Sequence, residues 1–173
     1  MRIRPAAPED ARAIAEIHVA AWRAAYRGLM PDAYLDQLSV EKRAALWQRT
    51  LAQPGSSMLA VAEDKDALTA FCFFGPTRDE DGKEQRIGEI IALNVRPQSW
   101  RRGHGKALCE FALRELPRRE RRSVTLWVLR GNERAQRFYE AQGFRLDGSE
   151  RVDVKLIGAP LHELRYRRNL DGS

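Results

Sequence analysis

Residues 89–108 read EIIALNVRPQSWRRGHGKAL, and the change of character along this stretch decides the fold. The first part is an aliphatic run of strand length within residues 86–96, stopped by Pro97. The last part opens a helix whose apolar side carries Ala107, Leu108, Phe111, Ala112 and Leu116, with Pro117 expected just beyond its last turn. Between them lies Gly103-His104-Gly105-Lys106. A helix start preceded by glycine exposes unpaired backbone N–H groups and a partial positive charge, so this loop suits a phosphate or diphosphate. It is not a Walker A loop, because Trp100 stands where the first glycine is required and Ala107 where Ser or Thr is required. It also lacks the third glycine of the dinucleotide fingerprint.

Upstream, residues 2–4 suit a short strand ended by Pro5. Over residues 8–26 the recurrence of Ile14, Ile17, His18, Ala21, Trp22 and Ala25 predicts a helical face, closed by Gly28. Pro31 permits a short helical turn, and Ser39 can cap a helix facing inward through Val40, Ala44, Trp47 and Leu51. Residues 58–62 and 68–74 are short apolar runs joined by Glu63-Asp64-Lys65-Asp66, which reads as a hairpin. Downstream, residues 124–129 form a continuous apolar run suited to a sheet interior. A helix follows over 133–142, Gly143 fits the left-handed position after it, and residues 144–156 and 161–168 predict two final strands. The order is mixed α/β with no repeat and no linker, so residues 1–173 are expected to form one domain.

Composition narrows the function. With 43% hydrophobic residues, 173 residues can enclose a core. There is no apolar run of 18 residues, and MRIRPAAPEDARAIAEI lacks a secretory pattern, so an unexported, cytoplasmic protein without a membrane role is expected. Cys72 and Cys109 lie in apolar segments without neighbouring ligands, which predicts reduced core thiols and no metal. The net charge of +6 comes from arginine pairs such as Arg101-Arg102 and Arg118-Arg119, a surface that attracts polyanions. No nucleic-acid-binding motif or aromatic-interleaved basic patch accompanies it.

Taken with its flanks, the 89–108 stretch resembles motif A of the GNAT superfamily, the acyl-CoA-dependent N-acyltransferases. Leu93, Val95, Pro97, Gly103 and Gly105 match that motif, while Trp100 departs from the usual Gln or Arg. LWVLRGNERAQRFYEAQGF, residues 126–144, resembles motif B, and the beginning and end of the chain are similar to the family's first helix and last strand. The resemblance implies a GNAT-like α/β fold: a mostly antiparallel sheet of about six to seven strands, splayed at an acetyl-CoA site and flanked by about four helices. It implies acetyl-CoA as co-substrate, no metal, direct transfer to a primary amine in a ternary complex, and a homodimer by family habit.

Roles follow for particular residues. An alkylamine with a pKa near ~10.4 must lose a proton before it attacks. Glu89 is the candidate base, in the row Ile87, Glu89, Ile91, Leu93, Val95 along one face of an ideal strand. By resemblance, the Leu93 N–H would meet the thioester carbonyl, and Asn94 and Val95 would line the pantetheine arm. Residues Arg101, Arg102, Gly103, His104, Gly105 and Lys106 would hold the diphosphate, Asn132 and Phe138 would contact the arm, and the Tyr139 hydroxyl would protonate the departing thiolate. Trp22 and Tyr26 match where the family builds its acceptor pocket. Asn132 is equally a helix N-cap by residue type, and the aromatic residues are equally core. The competing readings are a non-catalytic acyl-CoA sensor and a basic nucleic-acid binder. The amine stays open, because acceptor pockets vary on one fold.

Overall fold

The computed structural model describes residues 1–80 and 86–170. Seven strands form one sheet: β1 Arg2–Pro5, β2 Met58–Asp64, β3 Ala67–Pro76, β4 Ile87–Val95, β5 Ser123–Leu129, β6 Arg145–Asp153 and β7 Leu161–Asn169. Their spatial order is β1-β2-β3-β4-β5-β7-β6. Every pairing is antiparallel except that of β4 with β5. The helices are α1 Ala11–Ala25, α2 Asp32–Asp36, α3 Val40–Ala52, α4 His104–Arg118 and α5 Glu133–Ala141. No helix is long and apolar enough to cross a membrane, and no cluster of His, Cys, Asp or Glu could hold a metal ion, among the described residues.

The two faces of the sheet are covered by different helices. On one, Leu108, Ala112 and Leu116 of α4 and Tyr139 of α5 pack with Cys72, Phe74, Ile90, Leu126 and Val128. On the other, Ile14 and Ile17 of α1 and Trp47 of α3 pack with Leu59, Val61 and Phe71. Ser39 caps α3 as its residue type suggests, accepting from Lys42 N–H at 3.2 Å. The β2–β3 hairpin turns on Lys65 and Asp66, both left-handed at φ 50° and 62°, as a two-residue hairpin turn requires. Cys72 and Cys109 are buried free thiols, and burial raises both, Cys109 to about 12.

Two expectations are corrected. Pro117 lies inside α4, in its last turn, rather than beyond it. Proline is tolerated so close to a helix end because the chain unwinds there: Arg119 and Arg121 N–H both bond back to Leu116 O. The second correction concerns β4. Its register against β3 jumps from Phe73↔Ala92 to Phe74↔Ile90, leaving Ile91 as an extra, bulged residue. The bulge breaks the alternation, so Ile90, Leu93 and Val95 share the α4 face, while Glu89 points to the opposite one.

Candidate active site

The parallel pairing of β4 with β5 lasts only three residues, Ile87↔Ser123, Gly88↔Val124 and Glu89↔Thr125. Beyond Glu89 the strands diverge: β4 stays with β3 as far as Ala70↔Val95, and β5 stays with β7 as far as Leu129↔Glu163. A V opens between them, holding a cleft of about 750 Å³. Its two arms are residues 90–95 and 127–129. The Arg96 N–H donates to Thr69 O on β3, so the alternation of an extended strand turns the N–H and C=O of Val95 and Leu93 the other way, into the cleft. The Val95 carbonyl accepts from Trp100 Nε1 at 2.8 Å, which fixes its direction independently. Backbone donors at Leu93 and Val95 therefore face the cleft, with no strand opposite them among the described residues.

At the mouth, Arg101 and Gly103 take left-handed conformations, φ 61° and 85°, and α4 begins at His104. The first intrahelical bond is Ala107 N–H to Gly103 O, which leaves the N–H groups of His104, Gly105 and Lys106 without helical partners. A Cβ on Gly105 would meet Val95 Cγ2 at 3.3 Å and Phe138 Cζ at 3.6 Å, so glycine lets α4 lie close against both arms of the site. The His104 side chain does not line the cleft. Its ring is buried, with Nδ1 at 2.6 Å from Thr69 Oγ1, whose own proton goes to Ala62 O. Arg101 and Arg102 are exposed, and Lys106 is loosely paired with Glu110 at 3.9 Å.

From the β5 side, Asn132 caps α5 by accepting from Ala135 N–H at 3.2 Å. Tyr139 packs edge-on against Phe138 and Phe144. Its hydroxyl has no protein partner among the described residues, and burial holds it protonated, well above the usual phenol range. Trp22 and Tyr26 meet edge-on at 5.1 Å on the α1 side of the cleft, and burial raises the Tyr26 hydroxyl to about 12.

Glu89 is not with them. It is only 1% exposed, yet it does not line the cleft. Arg78 encloses its carboxylate, donating from its backbone N–H at 2.9 Å, from Nε at 3.1 and 3.2 Å, and from Nη2 at 2.5 Å. The apolar burial expected of this residue is thus a charge-assisted pair made across 11 positions of sequence.

Three further groups went unread in the sequence. Arg134 lies 3.6 Å over the Trp100 ring. Trp127 donates to Asp79 at 3.1 Å, with Arg151 4.3 Å over its ring. Arg165, nearly buried, pairs with both Asp79 and Asp147. Each joins segments far apart in the chain, and no local pattern announces it.

The family model described as the acetyltransferase (GNAT) family matches residues 11–144. A Mycobacterium tuberculosis protein named as a probable N-acetyltransferase is 31% identical over 172 residues, 96% of this chain and 92% of that one. A Bacillus subtilis protein named as an uncharacterized N-acetyltransferase is 30% identical over 131 residues, 75% of this chain and 72% of that one. Among solved structures, the PaiA N-acetyltransferase of Thermoplasma acidophilum in complex with coenzyme A superimposes with a TM-score of 0.74 at 19% identity, covering 97% of this chain and 98% of that one. A Salmonella typhimurium protein solved with its cofactor acetyl-CoA gives 0.74 at 22%, covering 100% and 95%. At these identities the structures share the fold.

Proposed function

Because the chain belongs to the GNAT acetyltransferase family, we propose that it transfers the acetyl group of acetyl-CoA to a primary amine by direct attack in a ternary complex. One observation carries this reading: unpaired main-chain donors of Leu93 and Val95 run down a cleft that ends at the open N-terminus of α4. The fit to CoA is of the right kind at both ends. Free N–H groups behind Gly103 and Gly105 suit a diphosphate, with Arg101, Arg102 and Lys106 adding charge. An unpartnered strand edge suits the amides of a pantetheine arm, lined by Val95, Asn94, Asn132 and Phe138.

Acetyl-CoA supplies the acetyl group already activated as a thioester, which an amine attacks with loss of the thiol. Leu93 N–H is the donor for the carbonyl oxygen as it gains negative charge, an interaction worth about 3 kcal/mol in comparable sites. Tyr139 is the acid for the departing sulfur: burial keeps its hydroxyl protonated, and it has no competing partner among the described residues. Trp22 and Tyr26 flank the acceptor. Glu89 is spoken for by Arg78, so the acceptor's proton leaves to solvent through the cleft mouth, and the Glu89–Arg78 pair serves to fix the closed end of the V. A cytoplasmic setting, where CoA thioesters and reduced thiols coexist, accords with this chemistry.

The test is acetyl transfer to a panel of amines, read as free thiol, alongside calorimetry with acetyl-CoA. Amine-dependent thiol release with tight acetyl-CoA binding is the expected result. Binding without release from any amine would make the protein a sensor rather than an enzyme.

A further inference from the structure

Trp100 and Arg134 stand on opposite arms of the V. Trp100 follows β4 and is tied to it by its indole N–H on Val95 O at 2.8 Å. Arg134 lies in the first turn of α5, whose N-terminus follows β5. The Arg134 guanidinium carbon lies 3.6 Å from the centroid of the Trp100 ring, so this contact bridges the opening. Both side chains line the cleft. Arg134 has no carboxylate partner among the described residues, unlike Arg137 one turn on, which pairs with Glu133 at 2.6 Å. Its ionisation is pushed down by desolvation and by the charge of Arg101, with Tyr26 acting in the other direction. Those two neighbours locate it: the phosphate loop lies to one side and the acceptor aromatics to the other.

We propose that Trp100 and Arg134 form a clasp across the cleft that holds the pantetheine arm between the phosphate loop and the thioester, and that both are therefore cofactor-positioning residues. This rests on the acetyl-CoA reading above. The loop pattern alone leaves Trp100 as a departure, and the clasp gives that departure a purpose: an indole can both bond the strand carbonyl and offer a flat face to a cation from the other arm. Capping Val95 O also leaves the arm fewer strand acceptors, a loss that a covering clasp offsets by excluding water above it. A held arm dissociates slowly, so the effect belongs mainly in the off-rate.

The experiment measures binding of CoA, 4′-phosphopantetheine and adenosine 3′,5′-bisphosphate to the full chain and to Trp100→Leu, Arg134→Gln and the double variant. Expected are Kd values for CoA and phosphopantetheine raised about tenfold in each single variant, chiefly through faster dissociation. The double variant should lose little more, because the two groups act as a unit. Adenosine 3′,5′-bisphosphate, which has no arm, should bind as before. Arg134 is exposed on a helix surface, so Arg134→Gln carries the test even if Trp100→Leu unfolds. Unchanged CoA dissociation in Arg134→Gln, or an equal loss with the armless nucleotide, overturns the clasp. Failure of the unaltered protein to bind CoA at all overturns it together with the cofactor reading.

Discussion

The imidazole of His18, in α1, is enclosed by Trp22, Trp47 and Phe71 at centroid distances of 5.1, 5.8 and 6.0 Å. Neither ring nitrogen has a hydrogen-bond partner among the described residues, nor has the nearby Trp47 Nε1. A buried polar group left unpaired costs roughly 1–3 kcal/mol, so His18→Leu, of similar size and without polar atoms, should stabilise the fold by about 2 kcal/mol at pH 7.5. For a chain of this length that is about 4–8 °C in Tm. Burial, helped by the Arg43 charge, lowers the His18 pKa from 6.5 to about 3. Between those values the unfolded chain binds a proton that the folded chain refuses. The protein therefore loses stability as pH falls below 6.5, by about 1.4 kcal/mol per unit, and gains nothing further above it. At pH 5.5 this amounts to about 1.4 kcal/mol, a loss that His18→Leu escapes. Urea unfolding of both proteins at pH 7.5 and 5.5 should show the variant ahead at the first pH and further ahead at the second. A variant less stable at pH 7.5, with a gap that does not widen at 5.5, would mean that His18 is satisfied in the fold.

Other expectations bear on the site. Glu89→Gln should cost about 2 kcal/mol, seen in urea unfolding, because it strips Arg78 of its charged partner. The pH profile of kcat should keep its shape, whereas a flattened profile would return the base to Glu89. Tyr139→Phe should lower kcat about 10- to 100-fold while the Kd for acetyl-CoA holds, as expected of a proton donor rather than a binding group. Gly103→Ala meets no atom within 4 Å, so its effect should come from φ +85° alone, about 1 kcal/mol in thermal unfolding with a weaker CoA complex. An unchanged Tm would remove strain from the account of that loop.

Much of the fold was legible because the elements obey local rules: the Ser39 cap, the left-handed Gly143 and the apolar face of α1 all stand where the pattern puts them. The glycine turn and the start of α4 were equally plain, since glycine spacing and a helix start are local properties. Glu89 was misread for a physical reason. A bulge at Ile91 leaves no mark in an aliphatic run, yet one extra residue exchanges the faces of everything before it. The Arg78–Glu89 pair, the Asp79–Trp127–Arg165 group and the Trp100–Arg134 contact join residues brought together only by the sheet order. His18 was correctly set on the inward helical face, but its lack of a partner belongs to the packed interior, not to the sequence.

The brevity of the β4–β5 pairing has a mechanical consequence. Four strands lie on one side of it and three on the other, and among the described residues β4 and β5 pair at three positions, with one further backbone bond from Arg122 N–H to Arg86 O. A guest seated in the gap takes the place of missing strand, and at a hundred times its Kd adds about 2.7 kcal/mol to the stability of the whole. Amide exchange at the seam should therefore slow on loading more than exchange in β2 or β3, where the hydrogen-bonding is already complete.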